Sequence, residues 1–68
     1  MNLKQLEAFV EVAEKNSFSK AAKSLYLTQP TVSAHISALE KELGSRLLIR
    51  NTKEVELSES GKRLYEYA

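Results

Sequence analysis

The stretch TQPTVSAHISALEKELG, residues 28–44, constrains the fold more than any other part of the chain. Thr28 can cap a helix by accepting a hydrogen bond from the amide three residues on, and Pro30 fits the first turn, where its missing N–H costs nothing. Gly44 supplies the left-handed residue at which helices commonly end. Between these signals, apolar residues are spaced by four, three and four positions: Val32, Ile36, Leu39 and Leu43. The stretch therefore predicts a helix over residues 29–43 with one buried face.

Two helices are predicted before this one. Asn2, with Gln5 three positions later, forms the pattern of a capping box and predicts a helix over residues 3–15. Its apolar stripe consists of Leu3, Leu6, Phe9, Val10 and Ala13, and its solvated side carries Glu7, Glu11 and Glu14. Ser19 is the candidate cap of a second helix, over residues 19–25. The three-residue connection that follows has the length found in helix-turn-helix pairs.

Downstream of residue 44, two short runs of large or β-branched apolar residues predict a β-hairpin. The runs span residues 47–50 and 55–57, and the polar residues 51–54 join them. Ser58 can then cap a fourth helix, whose apolar positions are Leu64, Tyr65 and Ala68. No stop signal follows these three residues, so we expect this helix to continue in a longer protein and to form a dimerisation seam there.

Together these elements predict a mainly α fold of the winged helix-turn-helix type. It has a three-helix core, a β-hairpin wing and a C-terminal helix. Residues 1–57 are expected to form the domain, and residues 58–68 to form the start of this last helix.

The composition excludes several classes of site. The chain has 68 residues, no cysteine, no aspartate and one histidine, His35. It therefore lacks the several Cys or His ligands of a structural zinc site, and we expect neither a metal nor a cofactor. The polar groups near His35 diverge around their helix, which argues against an enzyme. No run approaches the ~20 apolar residues that cross a bilayer, and no leader pattern opens the chain, so we expect a soluble, cytoplasmic protein.

The face of the third helix opposite its apolar stripe predicts a contact with nucleic acid. Its side chains are small apart from Lys41, and residues 28–39 include no acidic residue. Small side chains let a helix backbone sink towards the floor of the major groove, where the amide of Gln29 can bond adenine bidentately. The candidate base contacts are Gln29, Pro30, Thr31, Ser33, Ala34 and Ser37. The candidate contacts to the phosphate backbone are Thr28, Arg46, Arg50 and Lys53.

Other interpretations of these residues are open at this point. Small polar residues are ordinary on exposed helices, and a winged helix can also serve protein interaction, for which a large apolar anchor on the third helix is expected. His35 lies at the border of the apolar stripe and is interpreted as packed or water-bonded, with a base or phosphate contact as the alternative. Tyr26, Tyr65 and Tyr67 are interpreted as packing residues, with a phosphate contact as the alternative for Tyr26.

Residues 18–61, FSKAAKSLYLTQPTVSAHISALEKELGSRLLIRNTKEVELSESG, resemble the N-terminal DNA-binding domain of LysR-type transcriptional regulators. The resemblance covers nearly the whole chain. It depends on the order and spacing of Phe18, Ala21, Ala22, Leu25, Gln29, Pro30, Val32, Ser33, Ile36, Leu39, Glu40, Leu43, Gly44, Leu47, Arg50, Leu57 and Gly61.

The resemblance implies a bacterial regulator that binds interrupted palindromes of double-stranded DNA as a homodimer. It also implies that the fourth helix, residues 58–68, is the start of a linker helix of dimerisation, and that a further C-terminal domain binds a small-molecule effector. Gln29, Pro30 and Ser33 match family positions at the groove, and Arg50 and Lys53 match basic wing positions.

Two positions depart from the family pattern. Ala34 stands where the family often has a base-reading arginine, so a guanine contact from this position is lost. Leu48 stands where phenylalanine is common, which is an exchange of one core residue for another.

Overall fold

The computed structural model describes residues 1–50 and 55–67, and this part of the chain forms four helices and one two-stranded sheet. The elements are α1 (Leu3–Lys15), α2 (Phe18–Leu25), α3 (Gln29–Leu43), β1 (Leu48–Arg50), β2 (Val55–Leu57) and α4 (Glu59–Tyr67). The strands are antiparallel, with Leu48 opposite Leu57 and Arg50 opposite Val55. This order confirms the predicted winged helix-turn-helix. The predicted connection over residues 51–54 lies outside the described residues.

The first and third helices have the bounds that their capping signals predicted. The Asn2 side chain accepts from the amide of Gln5 at 2.8 Å, and the Gln5 side chain accepts from the amide of Asn2 at 3.2 Å. At α3, Thr28 Oγ1 accepts from the amide of Thr31 at 3.4 Å, and Gly44 ends the helix with a φ of 67°. Local hydrogen bonds therefore set both helix starts.

The predicted cap of α2 is wrong. Ser17, and not Ser19, is the cap: its Oγ accepts from the amide of Lys20 at 3.1 Å, and the helix begins at Phe18. Both serines are competent caps, but a start at Phe18 puts that side chain in the first turn, where it packs against the core. The helix ends at Tyr26, which adopts a left-handed conformation with a φ of 58°.

The core lies between the first three helices and the start of the hairpin, and it corrects two predicted core positions. Its largest fully buried side chains are Phe9, Ile36, Leu39, Leu47, Val12 and Val32. Leu3 is 71% exposed, because it precedes the buried Val12 by nine residues and so lies on the opposite side of α1. Leu43 is 42% exposed, because it lies in the last turn of α3. Leu47, four residues later, is buried in the core instead.

The backbone of Leu47 joins the hairpin to α3 and α4. One carboxylate oxygen of Glu40 accepts from the amides of Leu47 and Leu48, at 2.8 and 3.2 Å. The carbonyl of Leu47 accepts from the amide of Ser58 at 2.9 Å. The predicted cap of α4 is confirmed, since the amide of Gly61 donates to Ser58 Oγ at 3.0 Å.

Gly61 is the point at which α4 approaches this segment most closely. It is buried, and a Cβ added there would overlap the carbonyl oxygen of Leu47 and lie 3.2 Å from a methyl group of Leu57. The close approach is therefore open only to glycine, because no other residue lacks a Cβ.

We expect Gly61→Ala to destabilise the chain. Alanine is the better helix former by about 1 kcal/mol, but the overlap with backbone at Leu47 should outweigh that gain and cost about 1–3 kcal/mol or more. Urea unfolding measures the change. Gly44→Asn is the matched control, because asparagine tolerates the left-handed conformation and nothing lies within 4 Å of a Cβ there. Equal stability of Gly61→Ala and the parent would contradict the close packing.

We also expect Glu40→Ala to destabilise the chain by about 1–3 kcal/mol, because two amides of the hairpin lose a charged acceptor. Glu40→Gln keeps one acceptor oxygen without the charge and should lose less. Lys41→Ala, an exposed change in the same helix, is the control. The loss in the free energy of unfolding should be largest for Glu40→Ala, smaller for Glu40→Gln and smallest for Lys41→Ala. A loss no larger for Glu40→Ala than for Lys41→Ala would rule out this function of the carboxylate.

Candidate nucleic-acid interface

The N-terminal half of α3 presents the predicted contact residues on one surface. Gln29, Pro30, Thr31, Ala34 and Ser37 are exposed, and Ser33 is half-buried. The opposite side of the helix buries Val32, Ile36 and Leu39 in the core. We call the six outward residues the reading face. Apart from Gln29, its side chains are short, so an approaching molecule can come close to the helix backbone.

The hydroxyl groups at the start of this face are partly engaged within the chain. Thr28 Oγ1 and Thr31 Oγ1 lie 2.9 Å apart and share a hydrogen bond. One of the two hydroxyl protons is used in that bond, and the other is available to a ligand. The arrangement holds Thr31 against its cap, which limits the directions in which it can contact a base.

The reading face continues into a cavity of about 350 Å³ that reaches the hairpin. The cavity is lined by Phe18, Ser33, Ile36, Ser37, Glu40, Arg46 and Leu48. Arg46 is exposed and lines this cavity together with Ser33 and Ser37. The structure thus brings one predicted backbone contact next to the predicted base contacts. The side chain of Arg50 and the whole of Lys53 lie outside the described residues.

Sequence reasoning missed what Glu40 does in this region. Its carboxylate lies in the cavity, but one of its oxygens accepts from the two hairpin amides. Glu40 therefore positions the hairpin relative to the reading face. In the sequence, Glu40 stood out only as a position of the family pattern next to Leu39. That pattern does not indicate that its carboxylate binds amides seven and eight residues further along the chain.

The reading face carries a favourable charge distribution for an anion. No acidic residue occurs in the first turn of α3, and the helix N-terminus points partial positive charge outward. On α3 the first carboxylates are Glu40 and Glu42. The exposed amine of Met1 forms an ion pair with Glu42, which reduces the negative charge at the far end of the helix.

His35 lies on the flank of α3, next to Thr31 at the edge of the reading face. It is half-buried and lines a cavity of about 340 Å³ together with Lys4, Glu7, Leu25, Leu27 and Thr31. This position agrees with the predicted place at the border of the apolar stripe.

The interpretation of the tyrosines as packing residues is wrong for two of them. Tyr26 is 95% exposed and Tyr67 is 92% exposed. Tyr65 donates its hydroxyl to a carboxylate oxygen of Glu14 at 3.3 Å, which ties α4 to α1. Desolvation, and then the negative charge of Glu14, raise the pKa of the Tyr65 phenol above its usual value. Leu64, from the predicted dimerisation set, packs against the core of its own chain, and Ala68 lies outside the described residues.

The described part of the chain contains neither a candidate metal site nor a candidate membrane-spanning helix. No group of three or more His, Cys, Asp or Glu side chains is placed to hold a metal ion. No helix there is long and apolar enough to span a membrane.

The chain matches known proteins over almost its full length. The family model "Bacterial regulatory helix-turn-helix protein, lysR family" matches residues 3–62. The HTH-type transcriptional regulator BudR of Klebsiella aerogenes is 46% identical over 68 residues, which is 100% of this chain and 48% of that protein. Two other curated relatives are spanned for 23% and 44% of their length.

Two solved structures of DNA complexes share the fold. The DNA-binding domain of BenM in complex with catB site 1 DNA has a TM-score of 0.94 and 43% identity, covering 98% of this chain and 75% of that one. The DNA-binding domain of CbnR in complex with DNA has a TM-score of 0.94 and 37% identity, covering 98% of this chain and 77% of that one. With the family model matching 3–62, the chain belongs to the lysR family of bacterial regulatory helix-turn-helix proteins.

Proposed function

We propose that this chain is the DNA-binding domain of a bacterial transcriptional regulator and binds double-stranded DNA in a sequence-specific manner. In this proposal α3 enters the major groove, with its N-terminal residues at the base edges, and the hairpin contacts the phosphate backbone. The observation that carries the proposal is the reading face: an exposed, carboxylate-free surface of short side chains that adjoins Arg46. The two neighbouring structures, which contain DNA, support it.

The contacts fall into two groups with different consequences. Gln29, Pro30, Thr31, Ser33, Ala34 and Ser37 are assigned to base edges, where hydrogen bonds and methyl contacts carry sequence information. Thr28, Arg46, Arg50 and Lys53 are assigned to phosphates, which position the domain without reading sequence. Proximity in the structure supports this division for Arg46, and sequence alone supports it for Arg50 and Lys53.

The other assignments concern a longer regulator of which this chain would form one part. Residues 1–57 would form the DNA-binding domain and residues 58–68 the start of the linker helix. Tyr65 and Ala68, together with the exposed part of the half-buried Leu64, would face a second protomer. Two domains could then bind the two halves of an interrupted palindrome. Such a protein would act in the cytoplasm, bind a small-molecule effector through a further domain, and carry out no enzymatic reaction.

A module for protein interaction alone is less well supported. It would need a large apolar or aromatic anchor on the outward side of α3. Among the described residues of α3, the exposed large apolar side chain is Leu43, at the end opposite the reading face.

DNA binding by this chain should depend strongly on salt. Binding to an arbitrary duplex should be weak, on the order of 10⁻⁴–10⁻⁶ M at physiological salt. Arg46→Ala should weaken binding to every duplex and lower the slope of log K against log salt by ~1, because one phosphate contact is lost. Titrations of labelled duplex at several salt concentrations measure the slope. Arg63→Ala, which removes an exposed arginine of α4, is the control. An unchanged slope in Arg46→Ala would remove that residue from the interface.

Substitutions on the reading face should change specificity instead. Duplexes selected from a random library by the parent chain serve as preferred targets, and scrambled duplexes serve as the comparison. Gln29→Ala should lose ~1–3 kcal/mol of discrimination, and Ser33→Ala should lie at the low end of that range because it makes at most a single hydrogen bond. Both variants should bind scrambled duplex as the parent does. Equal losses on both targets would instead assign these residues to positioning contacts.

A further inference from the structure

Tyr26 combines two features that fold stability does not explain. The first is its backbone, which lies in the left-handed region with φ 58° and ψ 39°. The turn after α2 requires this conformation, because the amide of Leu27 donates to the carbonyl of Ala22 at 2.9 Å. Glycine or asparagine is the usual residue at such a helix end, since a Cβ makes the conformation unfavourable. A tyrosine here is therefore strained where a glycine would not be.

The second feature is the side chain, which is 95% exposed. Strained backbone persists where the surrounding structure enforces it, and it is concentrated at functional sites. The ring of Tyr26 gains almost no burial in return for the strain. This combination indicates that the side chain is retained for a contact outside the chain.

The position of Tyr26 indicates which contact that is. The residue precedes Thr28, the cap of α3, by two positions, so it lies at the end of α3 that the proposed function places against DNA. The sequence from Lys15 to Leu39 has no acidic residue and includes Lys15, Lys20 and Lys23. Lys15 forms an ion pair with Glu11, and Lys20 and Lys23 of α2 give the segment a positive charge that favours an anionic partner.

We propose that the Tyr26 hydroxyl donates a hydrogen bond to a phosphate of the DNA backbone beside the N-terminus of α3. Tyrosine is among the side chains that make such contacts. The contact would fix the depth and register of the reading face in the groove without itself reading a base. This inference rests on the proposed DNA binding and adds to it a neutral backbone contact from the turn.

A neutral donor has a signature that distinguishes it from a lysine or arginine. Counterion release follows the charge that the protein brings to the phosphates, so a lost phenol hydroxyl leaves the salt slope unchanged. The affinity falls by the same factor on all sequences, because the contact carries no base information. Arg46→Ala, in contrast, is expected to lower the slope.

The test compares Tyr26→Phe with the parent chain on selected and scrambled duplexes at several salt concentrations. Tyr26→Phe should weaken binding to both duplexes by about 3- to 10-fold with no change of slope, since one hydrogen bond is lost. Tyr26→Gly should lose at least as much affinity, while its thermal unfolding shows a fold as stable as the parent or more so. Tyr67→Phe, which removes the hydroxyl of a tyrosine exposed on α4, is the matched control and should bind as the parent does.

The outcomes separate this inference from the proposed function. A parent chain that binds no duplex at any salt concentration overturns both. A parent that binds DNA, with Tyr26→Phe and Tyr26→Gly both binding equally well, overturns the phosphate contact alone and removes Tyr26 from the DNA interface. A loss in Tyr26→Gly without a loss in Tyr26→Phe assigns the contact to the ring and not the hydroxyl. A loss confined to the selected duplex makes Tyr26 a base contact. A contact through the ring and a contact to a base would each overturn the proposal as well.

Discussion

The orientation of the hairpin relative to the helices depends on the backbone of one residue, Leu47. Its amide donates to Glu40 of α3, its carbonyl accepts from Ser58 at the start of α4, and its side chain is 1% exposed in the core. Gly61 permits this geometry, because α4 packs directly on the Leu47 carbonyl. We expect a change at either end of these contacts to displace the hairpin and to leave the first three helices in place.

Side-chain caps take the place of the covalent staples that a chain of this size often needs. At each of the four helix starts a side-chain oxygen accepts a hydrogen bond from a backbone amide that would otherwise lack a partner. The four caps are Asn2, Ser17, Thr28 and Ser58. Each such cap is typically worth about 1 kcal/mol, a considerable amount for a domain with a small core. The caps also fix where each helix begins, and so they determine which residue of α3 lies first on the reading face.

The parts of the fold that sequence could predict are those set by nearby residues. The bounds of α3 followed from Thr28 and Gly44, because cap and stop act within one turn of the helix. The start of α2 was ambiguous since two serines could serve, and the packing of Phe18 decided between them. The exposure of Leu43 and the partners of Glu40 depend on where other elements lie in space. No local pattern contains that information, so both had to be found in the structure.

The difference between exposed residues of α3 and residues that hold other elements in place explains how base specificity can change in this fold without loss of stability. Ala34 is exposed and lies outside the core, so a longer side chain at that position would meet solvent or DNA and displace nothing in the protein. The arginine common there in the family and the alanine of this chain are therefore both compatible with the same α3. Glu40, one turn and a half further along, is not replaceable in this way, because its carboxylate places the hairpin. The proposed base contacts thus lie at residues that stability leaves free to vary, while the residues that orient the hairpin are fixed by packing and hydrogen bonds.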